Sequence, residues 1–333
     1  MVYFRVRPWY KKQTVKQLVY YGTATPLSVG RNILAAASVG NYALFGGGYD
    51  ASTYSSAVDA YNTSLTRSTP TALSNGSRDL AATAIGDYAL FGGGYGSNPT
   101  YKNTVDAYNT SLTHSTPTVL SVARRNLAAT YVGDYALFGG GSAAQKSDVV
   151  DAYNLSLTRS TPTALSVARD KLAAGSVGGY ALFGGGQTNR DTVDAYNTSL
   201  TRSTPTALSQ GRSALAATSV GEYALFGGGS NYDTVDAYNT SLTRSTPTAL
   251  SVARDRLAAT SVDDYALFGG GYNNTSGYLS VVDVYDTSLT RTEPTGLSVA
   301  RREFAATYVG DYALFGGGYV APVSDVVDVY KAS

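Results

Sequence analysis

Apolar positions in this chain cluster in runs of four to six residues, separated by Gly, Asp, Asn, Thr and Ser, and no stretch sustains a 3.6-residue apolar period. Four kinds of run recur in a fixed order: LAATSV, YALFGG, VDAY and TPTALS. β-Branched and aromatic residues dominate them, so each is expected to be a strand. The first two are separated by Gly-Asp, Gly-Asn, Gly-Glu or Asp-Asp, pairs that close tight hairpins, and Asn-Thr-Ser marks a turn after the third.

The order repeats around the ring of letters. YALFGGG begins at Tyr42, Tyr88, Tyr135, Tyr180, Tyr223, Tyr265 and Tyr312, at spacings of 46, 47, 45, 43, 42 and 47 residues. A period in the forties with four strands per unit predicts an all-β, seven-bladed β-propeller of four-stranded antiparallel blades. The last repeat stops after its third strand, at VVDVYKAS, while TATPLS at 23–28 precedes the first complete repeat. The N-terminal strand is therefore expected to complete blade seven and close the ring, which removes open sheet edges. On this reading residues 17–333 form the propeller and residues 1–16 a separate arm.

The pattern R-x-x-L-A-A, Y-A-L-F-G-G, a variable loop and V-D-A-Y resembles the kelch repeat over residues 17–333. It departs in lacking the tryptophan after the V-x-x-Y strand; Leu65, Leu112, Leu157, Leu200, Leu242 and Leu289 stand earlier, in a shorter turn. The run YYGTATPLSVGRNILAAASVGNYALFGGG is also similar to repetitive kelch-type proteins of phage and prophage regions of gut bacteria, a resemblance that implies a virion or tail component. Some kelch relatives are copper oxidases or sugar isomerases. The kelch resemblance further implies that the glycines make room for the VDAY tyrosine. A phosphate cradle needs a helix N-terminus behind the glycines, and no helical segment follows any of them, which favours a packing role.

Composition narrows the chemistry. No cysteine and one histidine, His114, exclude a disulfide framework and zinc or copper sites built on Cys or paired His, so neither a metal nor a cofactor is expected. A net charge of +1 makes nucleic acid an improbable partner, and no apolar run is long enough to span a bilayer. Arg5, Arg7, Lys11, Lys12 and Lys16 concentrate positive charge in an arm that also holds Tyr3, Phe4, Trp9 and Tyr10. It has no secretory-signal pattern, and Trp9, Tyr10, Lys11 and Lys12 are expected to dock an assembly partner. Bacterial cytoplasm and a virion are the expected settings.

One face of such a ring is nearly constant between copies and the other is not. The loops between second and third strands differ in length and composition, and carry Tyr49, Tyr54, Tyr95, Tyr101, Arg190, Tyr232, Tyr272, Tyr278 and Tyr319 among Ser, Asn and Gly. Rigid tyrosines among small polar residues suit recognition of a protein or glycan. Arg31, Arg124, Arg169, Arg212, Arg254 and Arg301 recur before the innermost strand, with Ser77 interrupting the series, and are read as structural, satisfying carbonyls between blades. Two residues on stand Ile33, Asp79, Asn126, Lys171, Ala214, Arg256 and Glu303, a different residue in every blade, of which Lys171, Arg256 and Glu303 are candidate contacts at the channel mouth. The aspartate of VDAY is present in all seven copies. It is expected to pair with the arginine eight residues on or with backbone donors, rather than to be catalytic. The leading expectation is a non-catalytic recognition propeller; a metal-independent sugar isomerase and a purely architectural module are the alternatives.

Overall fold

The protein is described here by a computed structural model covering residues 17–332. Seven four-stranded antiparallel sheets form the ring, and the described residues contain no helix. In the first blade β2 (Ala35–Val39) lies innermost, followed outward by β3 (Tyr42–Gly46), β4 (Val58–Asn62) and β5 (Arg67–Ser68). The two-residue turn between β2 and β3 uses Gly40 at φ 51°, which a tight hairpin of the native twist requires.

The outermost strand differs from expectation. It is the Arg67–Ser68 pair, bonded opposite Ala60 and Tyr61, and TPTALS is the link to the next blade. The buried Leu73 of that segment packs into the seam and its N donates to Ser56 O at 2.9 Å, fastening the link instead of extending a ladder. Likewise the closing strand is β1 (Leu18–Ala24), upstream of most of TATPLS. It pairs from Leu18 opposite Ala332 to Ala24 opposite Val327, so both chain ends share blade seven.

The core lies between blades. Each of seven apolar clusters spans one seam; the first joins Leu44, Val58 and Leu73 to Ala89, Phe91 and Tyr108. Here the glycines act. A Cβ on Gly46 would stand 2.8 Å from the ring of Phe91 in the next blade, and the same fit recurs at every seam. The neighbour that excludes a side chain is thus this phenylalanine, not the tyrosine expected from VDAY. That tyrosine is fully buried and donates its hydroxyl to the preceding link: Tyr61 to Thr25 O at 2.7 Å and Tyr108 to Thr71 O at 2.8 Å. Burial pushes these phenols well above their ordinary range.

The recurring arginines bind within a blade rather than between blades. Arg31, fully buried, reaches Asp59 Oδ2 at 2.7 Å, Phe45 O at 3.1 Å and Val29 O at 3.1 Å. Arg67, from the outermost strand, takes the other carboxylate oxygen at 3.1 Å. Each aspartate is thereby held between two guanidiniums in blades one, three, four, five and six. In blade seven Tyr20 of β1 supplies the second partner, 2.8 Å from Asp328. Blade two differs, with Ser77 and His114 in place of the two arginines.

Candidate binding face

The seven residues two positions after the recurring arginine form a closed belt around the axis. Ile33 N donates to Glu303 O, Asp79 to Ile33, Asn126 to Asp79, Lys171 to Asn126, Ala214 to Lys171, Arg256 to Ala214 and Glu303 to Arg256, at 2.7 to 3.2 Å. All seven adopt φ between 52° and 58°. For a residue with a side chain that region costs on the order of 1 kcal/mol, most for β-branched Ile33. The belt fixes seven backbones identically while their side chains all differ.

These residues surround a cavity of about 670 Å³ at the channel mouth. Lys171, Arg256 and Glu303 line it together, as expected, with Asp79, Arg78, Arg125, Asp170 and Asp255, which sequence reasoning did not single out as ligand contacts. The overlooked arginines and Asp170 and Asp255 share one signal: they stand directly after the recurring arginine, or after Ser77 in its place, at another position that varies from blade to blade. Arg256 lies 3.6 Å from both Asp255 and Glu303, and Asn32 donates to Glu303 at 3.2 Å. Asp79 lies 3.7 Å from Arg78 and from Arg125. Lys171 is exposed, and its ammonium makes no ion pair among the described residues. Burial raises the carboxyls of Asp79 and Asp255 above the usual range, outweighing the arginines that pull them down. Asp255 Oδ1 receives no hydrogen bond among the described residues.

Outside the mouth the loop tyrosines gather in two clusters. Tyr49, Tyr54, Tyr95 and Tyr101 form a chain of ring contacts at 5.5 to 5.7 Å. The Arg78 guanidinium stands 5.3 to 5.7 Å from three of these rings, and that of Arg125 is 4.6 Å from Tyr95. Across blades six and seven, Tyr272, Tyr278 and Tyr319 gather in the same way around Arg302, at 4.9 to 5.7 Å. Blades six, seven, one and two are consecutive around the closed ring, so the aromatics make a crescent. Blades three, four and five place Ser142, Gln187 and Ser230 after their glycines. Tyr232 is exposed at 39% and makes no ring contact among the described residues; Arg190 is exposed in the loop of blade four. The hydroxyls of these loop tyrosines form no hydrogen bond among the described residues, in contrast to the VDAY tyrosines of the core. Trp9, Tyr10, Lys11 and Lys12 lie outside the described residues.

The opposite end of the channel holds a cavity of about 490 Å³ walled by small residues such as Ser38, Thr83, Ser176 and Thr260.

No protein-family model and no curated protein matches the chain. Among solved structures, that of YjhT covers 82% of this chain and 99% of its own length, at 12% identity and a TM-score of 0.63. At that identity the likeness speaks for the fold alone, and the chain has the seven-bladed β-propeller architecture.

Proposed function

We propose that the chain is a kelch-type recognition propeller that binds a glycan or a protein across its variable face without catalysing a reaction on it. The observation that carries this reading is the belt: seven backbones held in one strained geometry, in repeats otherwise near-identical, each presenting a different side chain to one cavity. The crescent supports it, because half-buried tyrosines with free hydroxyls offer ring edges and hydrogen bonds at small entropic cost. The arm at residues 1–16 then docks an assembly partner, and the similarity to phage-encoded repeats supports a virion or tail placement for the assembly. Mass spectrometry of purified particles tests that placement.

The binding test is a glycan array with a host-surface pull-down. Replacing Tyr95, Tyr101, Tyr272 and Tyr278 with alanine should abolish capture, each true anchor costing about 2 kcal/mol or more. Capture that survives these changes but fails when Trp9 or Lys11 is replaced assigns recognition to the arm and refutes the face.

The raised carboxyls of Asp79 and Asp255 favour a second reading, a metal-independent sugar isomerase using one as acid and one as base. Incubation with aldoses and ketoses, followed by NMR, discriminates: turnover lost in Asp79→Asn replaces the first reading with the second.

A further inference from the structure

In blade two a buried carboxylate keeps the surroundings of an arginine without the arginine. The backbone at Ser77 matches that at the arginines: its carbonyl accepts from Gly48 N as that of Arg124 accepts from Gly94 N. A Cβ on Gly94 would lie 3.0 Å from the Ser77 Cβ, as one on Gly186 would lie 3.0 Å from that of Arg169. Arginine in the other blades binds the carbonyl fourteen residues after it and the aspartate, and in all of them but blade five also the carbonyl two residues before it, as Arg31 does with Phe45, Asp59 and Val29. The counterparts in blade two are Asn75, Phe91 and Asp106, and Phe91 pairs with Asp106 in the same register as Phe45 with Asp59.

Asp106 is 3% exposed. Its Oδ1 accepts from Ser74 N at 2.9 Å and Ser74 Oγ at 2.5 Å and contacts His114 Nε2 at 2.7 Å. Its Oδ2, which faces the arginine in the other blades, accepts no hydrogen bond among the described residues. This oxygen is not sealed from solvent, and in the sister blades its counterpart holds a guanidinium, so it is an acceptor open to a cation. Lys102, a buried residue of the same blade, packs against Gly96 and makes no ion pair among the described residues.

We propose that Asp106, the carbonyls of Asn75 and Phe91, and the side chain of Ser77 form a site for a guanidinium-type cation. A guanidinium is favoured over a spherical ion because the same acceptors hold its planar fork in the sister blades.

Thermal melts of the full chain in millimolar guanidinium chloride, with potassium chloride as control, test this. The wild-type protein should show a saturable rise in Tm of roughly two to four degrees at tenfold excess over Kd. Ser77→Arg should start from a higher Tm and show no rise, because its own guanidinium holds the place; Asp106→Asn, if it folds, should show none either. No rise in the wild-type protein, an equal rise in Ser77→Arg, or an equal rise with potassium would each overturn the proposal. So would a rise confined to Lys102→Met, which would mean that the Lys102 ammonium already neutralises Asp106.

Discussion

A Cβ on Gly316 would stand 2.7 Å from the ring of Phe45, so the last blade meets the first through the same glycine-to-phenylalanine fit that joins the other blades. Phe45 is fully buried and has no room to retreat. Gly316→Ala should therefore destabilise the protein by about 1–3 kcal/mol, the usual cost of overpacking. Gly179→Ala, whose Cβ would meet nothing within 4 Å, should change stability by less than about 0.5 kcal/mol. Urea unfolding of the two variants checks the contrast, and equal losses would refute the packing role.

Ring closure rests on β1, through its ladder to Val327–Ala332 and through Tyr20 on Asp328. Deleting residues 1–24 removes both and should broaden and lower the thermal transition. Deleting residues 1–16 should leave it in place. Calorimetry of the two truncations decides, and an equal loss in both would count against closure by this strand.

Asp255 has a carboxyl raised chiefly by burial, with Arg256 and Arg302 opposing. Folding then favours its protonated form. Its cost is absent below the unfolded-state value, near pH 4, and grows as pH rises through the folded-state value. Asp255→Asn should be more stable than wild type at neutral pH, with the difference vanishing toward pH 3. Denaturant melts across that range read the trend, and a difference that grows in acid would reverse the assignment.

Two tyrosine classes should respond differently to loss of the hydroxyl. Tyr61→Phe deletes a buried hydrogen bond to Thr25 O and should cost about 1 kcal/mol or more. Tyr101→Phe deletes a hydroxyl that bonds nothing among the described residues, so its melting temperature should not move. If both variants melt together, the hydroxyl of Tyr61 does not anchor the link.

The blades, the hairpins and the closing strand were legible because each rests on local pattern repeated many times: a Gly-Asn or Gly-Asp turn, an alternating apolar run, a missing fourth strand at one end matched by a spare one at the other. The outermost strand was misplaced because Thr-Pro-Thr carries β-branched residues yet serves as a link. The partner of Gly46 could not be read from its own repeat, since Phe91 belongs to the next one. For the same reason the binding of Arg31 inside its blade was hidden: spacing alone does not say on which side of a seam a long side chain lies. At the mouth, the variable ring of Lys171, Arg256 and Glu303 was visible as variation. The weight of Asp79 and Asp255 comes from their burial and their cationic neighbours, which the fold alone sets.

The belt at the channel mouth is bonded through backbone atoms only, so its hydrogen bonds do not depend on which letter a blade contributes, provided that residue tolerates the left-handed φ. Seven near-identical repeats can therefore each carry a different letter, respelling the word around the axis without breaking the belt. The number of letters is not free in the same way. An eighth unit would have to widen a circle whose seven hydrogen bonds already close on themselves, so the belt accommodates a substitution more readily than an added blade.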